Sequence, residues 1–327
     1  MMFLFTRDCF NTDRVLKRIF SLCCCLLLFA LSTWAGPRRD SAAPLQVGIV
    51  TAVDSLPLML ARDLGFFERE GVEVDLILFP NPLERNAAIQ AGRLDGAIND
   101  LLDAAFFAAA GFDFRITSMT NGRFGVVASP QSGVTSLEEL RGRSVGLFAN
   151  TMTQFIVDSL LEEAGVPMTE YEAVAVPNIL LRLEMVLGGL IDAAILPEPL
   201  LTAAVAQGAV LLATTDNTGL EAGLLFFSQR TIDTRLDEVR AFHRAYYRAA
   251  MEINANPDAF RDYLVGQAGF PAAVRDLFQF VTYTRPALPH EARIRRALDW
   301  LRARGLLNVE LSAEDLTDGR AISEWLN

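Results

Sequence analysis

Hydrophobic residues are spaced along this chain in two alternating rhythms. Short apolar runs such as LQVGIV (Leu45–Val50), VEVDLILF, LDGAI, FDFRITSMT and RFGVVAS predict strands. Between them lie segments whose apolar positions recur three and four apart. LMLARDLGFFERE, PNPLERNAAIQAG and DLLDAAFFAAAG predict helices that stop at glycine. The order then restarts. SLEELRG predicts a short helix with Ser136 as N-cap and Glu139 completing a capping box. SVGLFA, YEAVAV, IDAAIL and AVLLAT predict strands, separated by the helices NTMTQFIVDSLLEEAG, PNILLRLEMVLGG and LLTAAVAQG. GLLFFSQRTI predicts one more strand, and four helical segments follow, starting RLDEVRAF, PDAFRDYL, PAAVRDLF and HEARIRRA.

The restart is visible as a repeat. Residues 80–98 (PNPLERNAAIQAGRLDGAI) and 177–195 (PNILLRLEMVLGGLIDAAI) share eight of nineteen positions without a gap. Pro, Asn, Leu and Arg open each copy, and the shared positions have structural uses: Pro-Asn ends a strand and caps a helix, Gly ends that helix, and Asp-Ala-Ile feeds the next strand. A period near 97 residues is too long for a solenoid unit and suits one small α/β lobe. Strands alternating with helices imply mostly parallel sheets. The pattern therefore predicts an α/β chain of two similar lobes. The expected boundaries are a first lobe over 45–125, a second over 126–222, and a return to the first over 223–327 with C-terminal helices.

Composition narrows the function. The chain has 327 residues, 51% of them hydrophobic, with a formal charge of −11, which makes a large core and an acidic surface unsuited to nucleic acid. Lys17 and Arg18 precede the apolar run IFSLCCCLLLFAL, and STWAG follows with Thr33 and Ala35 placed for cleavage before Gly36. Residues 1–35 thus read as an export signal and 36–44 as a linker, with a retained membrane tether as the alternative. Every cysteine lies at or before Cys25, and Lys17 is the only lysine. Without that segment the chain has no thiolate nucleophile, Schiff-base lysine or disulfide. His243 and His290 have no partners at metal-ligand spacing, and neither a metal nor a cofactor is expected.

In parallel sheets, ligands sit beyond the carboxyl ends of strands. Asp54 and Ser55 follow the first strand, and Asn150, Thr151 and Thr153 follow its counterpart. Both groups suit ligand contact, and both also suit simple helix caps. Just past the repeat the copies diverge: Asn99 and Asp100 stand where Leu196 and Pro197 stand, with Glu198 held between two prolines. Arg123, between the lobes, has the fork to clamp a carboxylate, sulfonate or phosphate.

DSLPLMLARDLGFFEREGVEVDL, the twin repeat helices, LEELRGRSVGL and GLIDAAILPEPLL resemble periplasmic solute-binding proteins of ABC importers. The NMT1-like subgroup serves alkanesulfonates, taurine, nitrate and thiamine-pyrimidine precursors. The resemblance covers residue 45 to the end. It implies a two-lobed type II periplasmic-binding fold with two hinge strands and binding residues at Asp54–Ser55, Asn99–Asp100, Asn150–Thr151 and near Glu198. It also implies a periplasmic, monomeric, non-catalytic protein that hands a small polar or anionic molecule to an inner-membrane ABC permease. The alternative is a lyase-type enzyme on the same fold, acting on a small carboxylic acid or a pyrimidine, with Asp54, Asp100 or Glu198 as base. A fungal relative that makes thiamine pyrimidine relies on a lysine and a cysteine-rich motif, which the chain beyond its first 35 residues lacks.

Overall fold

The computed structural model describes residues 43–326 except 217, 221 and 222. The export signal and nearly all of the linker lie outside the described residues. The first five-stranded sheet has the order β2-β1-β3-β10-β4, built from β1 (Leu45–Val50), β2 (Val74–Phe79), β3 (Gly96–Asp100), β4 (Phe114–Met119) and β10 (Gly223–Ser228). The second has the order β7-β6-β8-β5-β9, built from β5 (Phe124–Ala128), β6 (Ser144–Leu147), β7 (Glu172–Ala175), β8 (Ala193–Pro197) and β9 (Val210–Thr214).

In each sheet four strands run one way and one runs against them, β10 in the first and β5 in the second. The reversed strand is in both cases the one reached by crossing from the other sheet. A chain that leaves one sheet at its carboxyl edge and enters the other at the facing edge must run backwards there. The crossovers β4→β5 and β9→β10 therefore bring both carboxyl edges to one cleft.

The helices are α1 (Leu56–Asp63), α2 (Phe66–Glu70), α3 (Pro82–Gln90), α4 (Leu101–Ala109), α5 (Met152–Glu163), α6 (Ile179–Leu187), α7 (Leu200–Ala206), α8 (Gln229–Ala255), α9 (Arg261–Gly266), α10 (Glu291–Ala303) and α11 (Ala313–Leu316). Phe67, Phe227, Phe242, Phe278 and Tyr283 form one buried cluster that joins the first sheet to α1, α2 and α8. Each such side chain contributes about 1.5–3 kcal/mol by leaving water. No helix among the described residues is long and apolar enough to cross a membrane.

The repeat's shared residues have matched partners. Asn81 accepts from the Glu84 amide and Asn178 from the Leu181 amide, each capping its helix. Asp95 accepts from the Gln46 amide, and Asp192 from the Ser144 amide, both at 2.9 Å, so each pins the start of a neighbouring parallel strand.

Four local expectations are corrected. SLEELRG forms only a 3-10 turn at Glu138–Leu140, and Glu139 accepts from the amide and hydroxyl of Thr135 rather than completing a capping box. Gly65, at φ +67°, splits the expected first helix into α1 and α2. The strand expected through GLLFFSQRTI ends at Ser228, whose hydroxyl caps α8. The PAAVRDLF segment makes one 3-10 turn and then runs without regular structure, with Phe278, Val281 and Tyr283 in the core. That stretch lies along the first crossover. The Met119 amide donates to the Ala287 carbonyl at 2.8 Å, the Thr284 amide to Asn121 Oδ1 at 3.1 Å, and Arg123 Nη1 to the Gln279 carbonyl at 2.9 Å.

Candidate functional site

β1 ends in a 3-10 turn, Val53–Ser55, that turns Asp54 toward the hinge. Its Oδ2 accepts from Thr120 Oγ1 at 3.2 Å, while the Thr120 amide donates to the Gly223 carbonyl at 2.8 Å. A Cβ at Gly223 would lie 2.4 Å from Asp54 Oδ2 and 2.1 Å from Thr120 Oγ1, and one at Gly122 would lie 3.4 Å from the same oxygen. The carboxyl thus fits a notch cut by one glycine on each crossover. Burial raises its pKa, opposed by the Thr120 hydrogen bond. Gly223→Ala is expected to cost about 2–3 kcal/mol, measured by urea unfolding. Stability equal to the parent's would show that the notch has slack.

Ser55, expected as an N-cap, has αR geometry and makes no capping bond, and its Oγ is buried with no partner among the described residues. The reason is that the 3-10 turn runs directly into α1, leaving no extended residue from which a cap could reach back.

Asn99 is buried, and its Oδ1 accepts from Arg85 Nη2 and from the Asp100 amide. Asp100 caps α4 by accepting from the Asp103 amide at 2.9 Å. It pairs across the sheet with Gly223, the glycine whose Cβ position faces Asp54 Oδ2. Burial first, and the Asp103 charge second, push Asp100 up to about 7, and Arg85 pulls it back.

On the second sheet, Asn150 stands at φ 59°, a left-handed position that asparagine tolerates, and its amide donates to Gln154 Oε1 at 2.8 Å. Thr151 holds the N-cap place of α5 without capping it. Its hydroxyl donates to the Phe148 carbonyl at 2.7 Å, while Thr153 Oγ1 accepts from the Phe148 amide at 3.0 Å. The expected caps thus instead brace their own loop.

Glu198 is buried beside the first crossover, where its amide donates to the Arg123 carbonyl at 3.0 Å. Its two carboxylate oxygens accept from the amide and hydroxyl of Thr202, and burial raises its pKa against those bonds. Arg123 gives Nε to Asp216 Oδ1 at 2.9 Å and Nη1 to Gln279. Its fork therefore joins both crossovers to the C-terminal stretch.

The candidates fall into three groups: Asp54 with Asp100 at Gly223, Arg123 with Glu198 and Asp216, and the loop of Asn150, Thr151 and Thr153. Sequence reasoning passed over Thr120, Gly223, Thr202, Asp216 and the Arg85 cluster. Of these only Arg85 left a trace, as the repeat's shared arginine.

Residues 52–260, more than half of the chain, match the family described as NMT1/THI5 like. The chain belongs to this family. A curated relative from Schizosaccharomyces pombe, 4-amino-5-hydroxymethyl-2-methylpyrimidine phosphate synthase, is 26% identical over 121 residues, covering 36% of this chain and 35% of the relative. The chain spans about a third of the length of such relatives. Among solved structures, the periplasmic aliphatic sulphonate binding protein SsuA from Escherichia coli superposes with a TM-score of 0.74 at 15% identity, covering 85% of this chain and 92% of that one. The ligand-binding component of an ABC-type import system from Staphylococcus aureus gives 0.73 at 13% identity, covering 86% and 99%. These likenesses establish the two-lobed α/β arrangement that the repeat predicts, in the periplasmic-binding form that the resemblance implies. The expectation of a non-catalytic protein is corrected: the curated members of this family that the chain matches are named as synthases.

Proposed function

We propose that this NMT1/THI5-like chain closes its two lobes around a small aminopyrimidine-class ligand. The observation that carries the reading is the pair of carboxyls on either side of Gly223, the buried Asp54 and the half-buried Asp100, with Arg85 as the cation acting on both. Burial raises both, so each serves as a neutral donor or an ionised acceptor, which suits ring nitrogens and an amino group. A sulfonate would set a permanent negative charge against desolvated acids. Ser55, Asn99, Asn150, Thr151 and Thr153 would supply further contacts, with Glu198 and Arg123 beside the first crossover. Lobes bounded at 45–125 with 223–327, and at 126–222, would move as bodies, with a ligand that touches both favouring closure by its differential affinity.

Two fates of the ligand are distinguished by observation. The named activity of the curated relatives favours conversion, with Asp54, Asp100 or Glu198 as acid–base groups, since the sequence holds no lysine after Lys17 and no cysteine after Cys25. Delivery to an ABC permease from the periplasm is the reading favoured by the E. coli and S. aureus neighbours. Calorimetry with 4-amino-5-hydroxymethyl-2-methylpyrimidine and its phosphate, followed by mass spectrometry of the small molecule, tests both. Saturable one-to-one binding is expected, weakened about tenfold or more by Asp54→Asn through loss of a charge-assisted hydrogen bond. A new product assigns conversion, whereas an unchanged pyrimidine is the result expected both of delivery and of a synthase holding its own product. No binding at millimolar pyrimidine, or equal binding of taurine, ends the aminopyrimidine reading.

A further inference from the structure

We propose that Arg85, with Asn86, Asn99 and Asp103, is a positioning set that presents the Asp100 carboxyl for proton exchange with the bound ligand. The ligand half of this rests on the pyrimidine reading above. The argument comes from the repeat. Arg85 and Arg182 occupy the same position in the two copies, and both are buried. Arg182 is satisfied by main chain: Nε and Nη2 donate to the Val176 carbonyl at 3.0 and 2.9 Å, and Nη1 to the Ile195 carbonyl at 2.9 Å. A buried arginine on this motif thus needs no polar side chains around it.

The first lobe supplies them all the same. Asn86, Asn99 and Asp103 stand where the second lobe has Leu183, Leu196 and Leu200. Arg85 donates to Asn86 Oδ1 at 2.9 Å and to Asp103 Oδ2 at 3.1 Å, as well as to Asn99. Asn86 Nδ2 donates to Asp103 Oδ2 at 2.7 Å. Two arms of this network reach Asp100: Asn99 Oδ1 takes its amide at 2.9 Å, and the Asp103 amide is given to its Oδ1 at 2.9 Å. The Asp100 carboxyl also takes a backbone hydrogen bond from Leu102, and the residue is half-buried rather than enclosed. Three leucines exchanged for three polar groups, all meeting one arginine beside one acid, is an expensive arrangement for a helix cap that Asp100 alone would provide.

The charges around Asp100 set its proton affinity. Asp103 on α4 raises it and Arg85 on α3 lowers it, on top of the burial that raises it most. Asp54, in the turn after β1, acts on the same arginine. β10 brings only Gly223 opposite Asp100 and adds no charge. The opposing effects leave the carboxyl near neutrality, at about 7. The transferred proton passes between the Asp100 carboxyl and a ring nitrogen, with no other bond made or broken.

Carboxyl carbon-13 NMR of the full chain, with the Asp100 resonance assigned by its loss in Asp100→Asn, tests the positioning without any ligand. Arg85→Met removes the stabilising cation and is expected to raise the Asp100 midpoint by about one pH unit or more. Arg182→Met, the matched change in the other lobe, is expected to leave it in place. Should Arg85→Met not fold, Asp103→Asn keeps the shape, removes the like charge and is expected to lower the midpoint. The affinity of 4-amino-5-hydroxymethyl-2-methylpyrimidine should bend with pH at the same midpoint and follow it in each variant. An unmoved midpoint, or one moved equally by Arg182→Met, overturns the positioning set. Midpoints that shift as expected while the affinity stays flat with pH overturn the proton exchange. Shifted midpoints with no pyrimidine binding at all leave the positioning set standing and reject the ligand reading.

Discussion

Acidification from pH 6.5 to about 3 is expected to cost the native state about 5 kcal/mol through His243 alone. The ring is fully buried on α8 against Phe227 and Phe242. Thr117 Oγ1 donates to the Leu225 carbonyl, so at 3.0 Å from His243 Nε2 it must accept, which places the ring proton on Nε2. Nδ1 is then a bare acceptor with no partner among the described residues. Protonating it would bury an uncompensated charge, and burial accordingly pulls the imidazole down to about 3 from 6.5. The sign follows directly. Below pH 6.5 the unfolded chain binds a proton that the native state refuses, so stability falls by about 1.4 kcal/mol per pH unit until the folded ring also titrates. Asp54, Asp100 and Glu198 act in the opposite direction, because burial raises them. Total acid sensitivity is therefore a difference, and His243→Leu isolates one side of it. Guanidinium unfolding at pH 8, 6, 5 and 4 should show the variant gaining on the parent at each step below 6.5. Parallel curves would mean that the imidazole finds a partner for its second proton.

Arg182→Met should destabilise the protein by about 3–5 kcal/mol at neutral pH. The methionine fills the space of the arginine stem, so little of the cost is cavity. The loss lies in two buried carbonyls, Val176 and Ile195, each deprived of a charged donor, at about 1–3 kcal/mol apiece. These carbonyls stand one residue beyond β7 and within β8, so the guanidinium also ties the ends of two strands that are not neighbours in the sheet. No carboxylate balances it; burial pulls it down to about 10. Arg182→Lys keeps the charge but cannot reach both carbonyls with one ammonium, and it should recover less than half of the loss. Urea unfolding reads both. A loss under about 1 kcal/mol for the methionine variant would mean that the carbonyls find other donors.

Much of the architecture was legible because it is written in local terms, twice. Asn81 and Asn178 cap their helices through amides three residues on, and Gly92 and Gly189 take the left-handed turn that ends them. Such contacts are encoded within one turn of chain. Asp95 and Asp192 were recognised as strand starters, but their partners at Gln46 and Ser144 lie almost fifty residues upstream, and no spacing announces them. The same holds for the candidate site. Asp54 was singled out from its place after a strand, whereas Thr120 and Gly223, which shape its notch, come from distant crossovers. Arg123 stood out as a free fork because Asp216 and Gln279 are invisible as partners from sequence. The failed helix at PAAVRDLF is a propensity overruled by burial: Phe278, Val281 and Tyr283 all enter the core from a stretch without regular structure.

The stretch 279–287 that lies along the first crossover has a directional consequence for any swing of the lobes. Its tether at Met119 is to the last residue of the first sheet, whereas its tether at Arg123 is to the residue just before the second. Rotation of one sheet against the other therefore loads these bonds unequally, like the stitches at the end of a seam. On such a rotation the Gln279 bond is expected to give first, with the Ala287 bond kept with its own sheet.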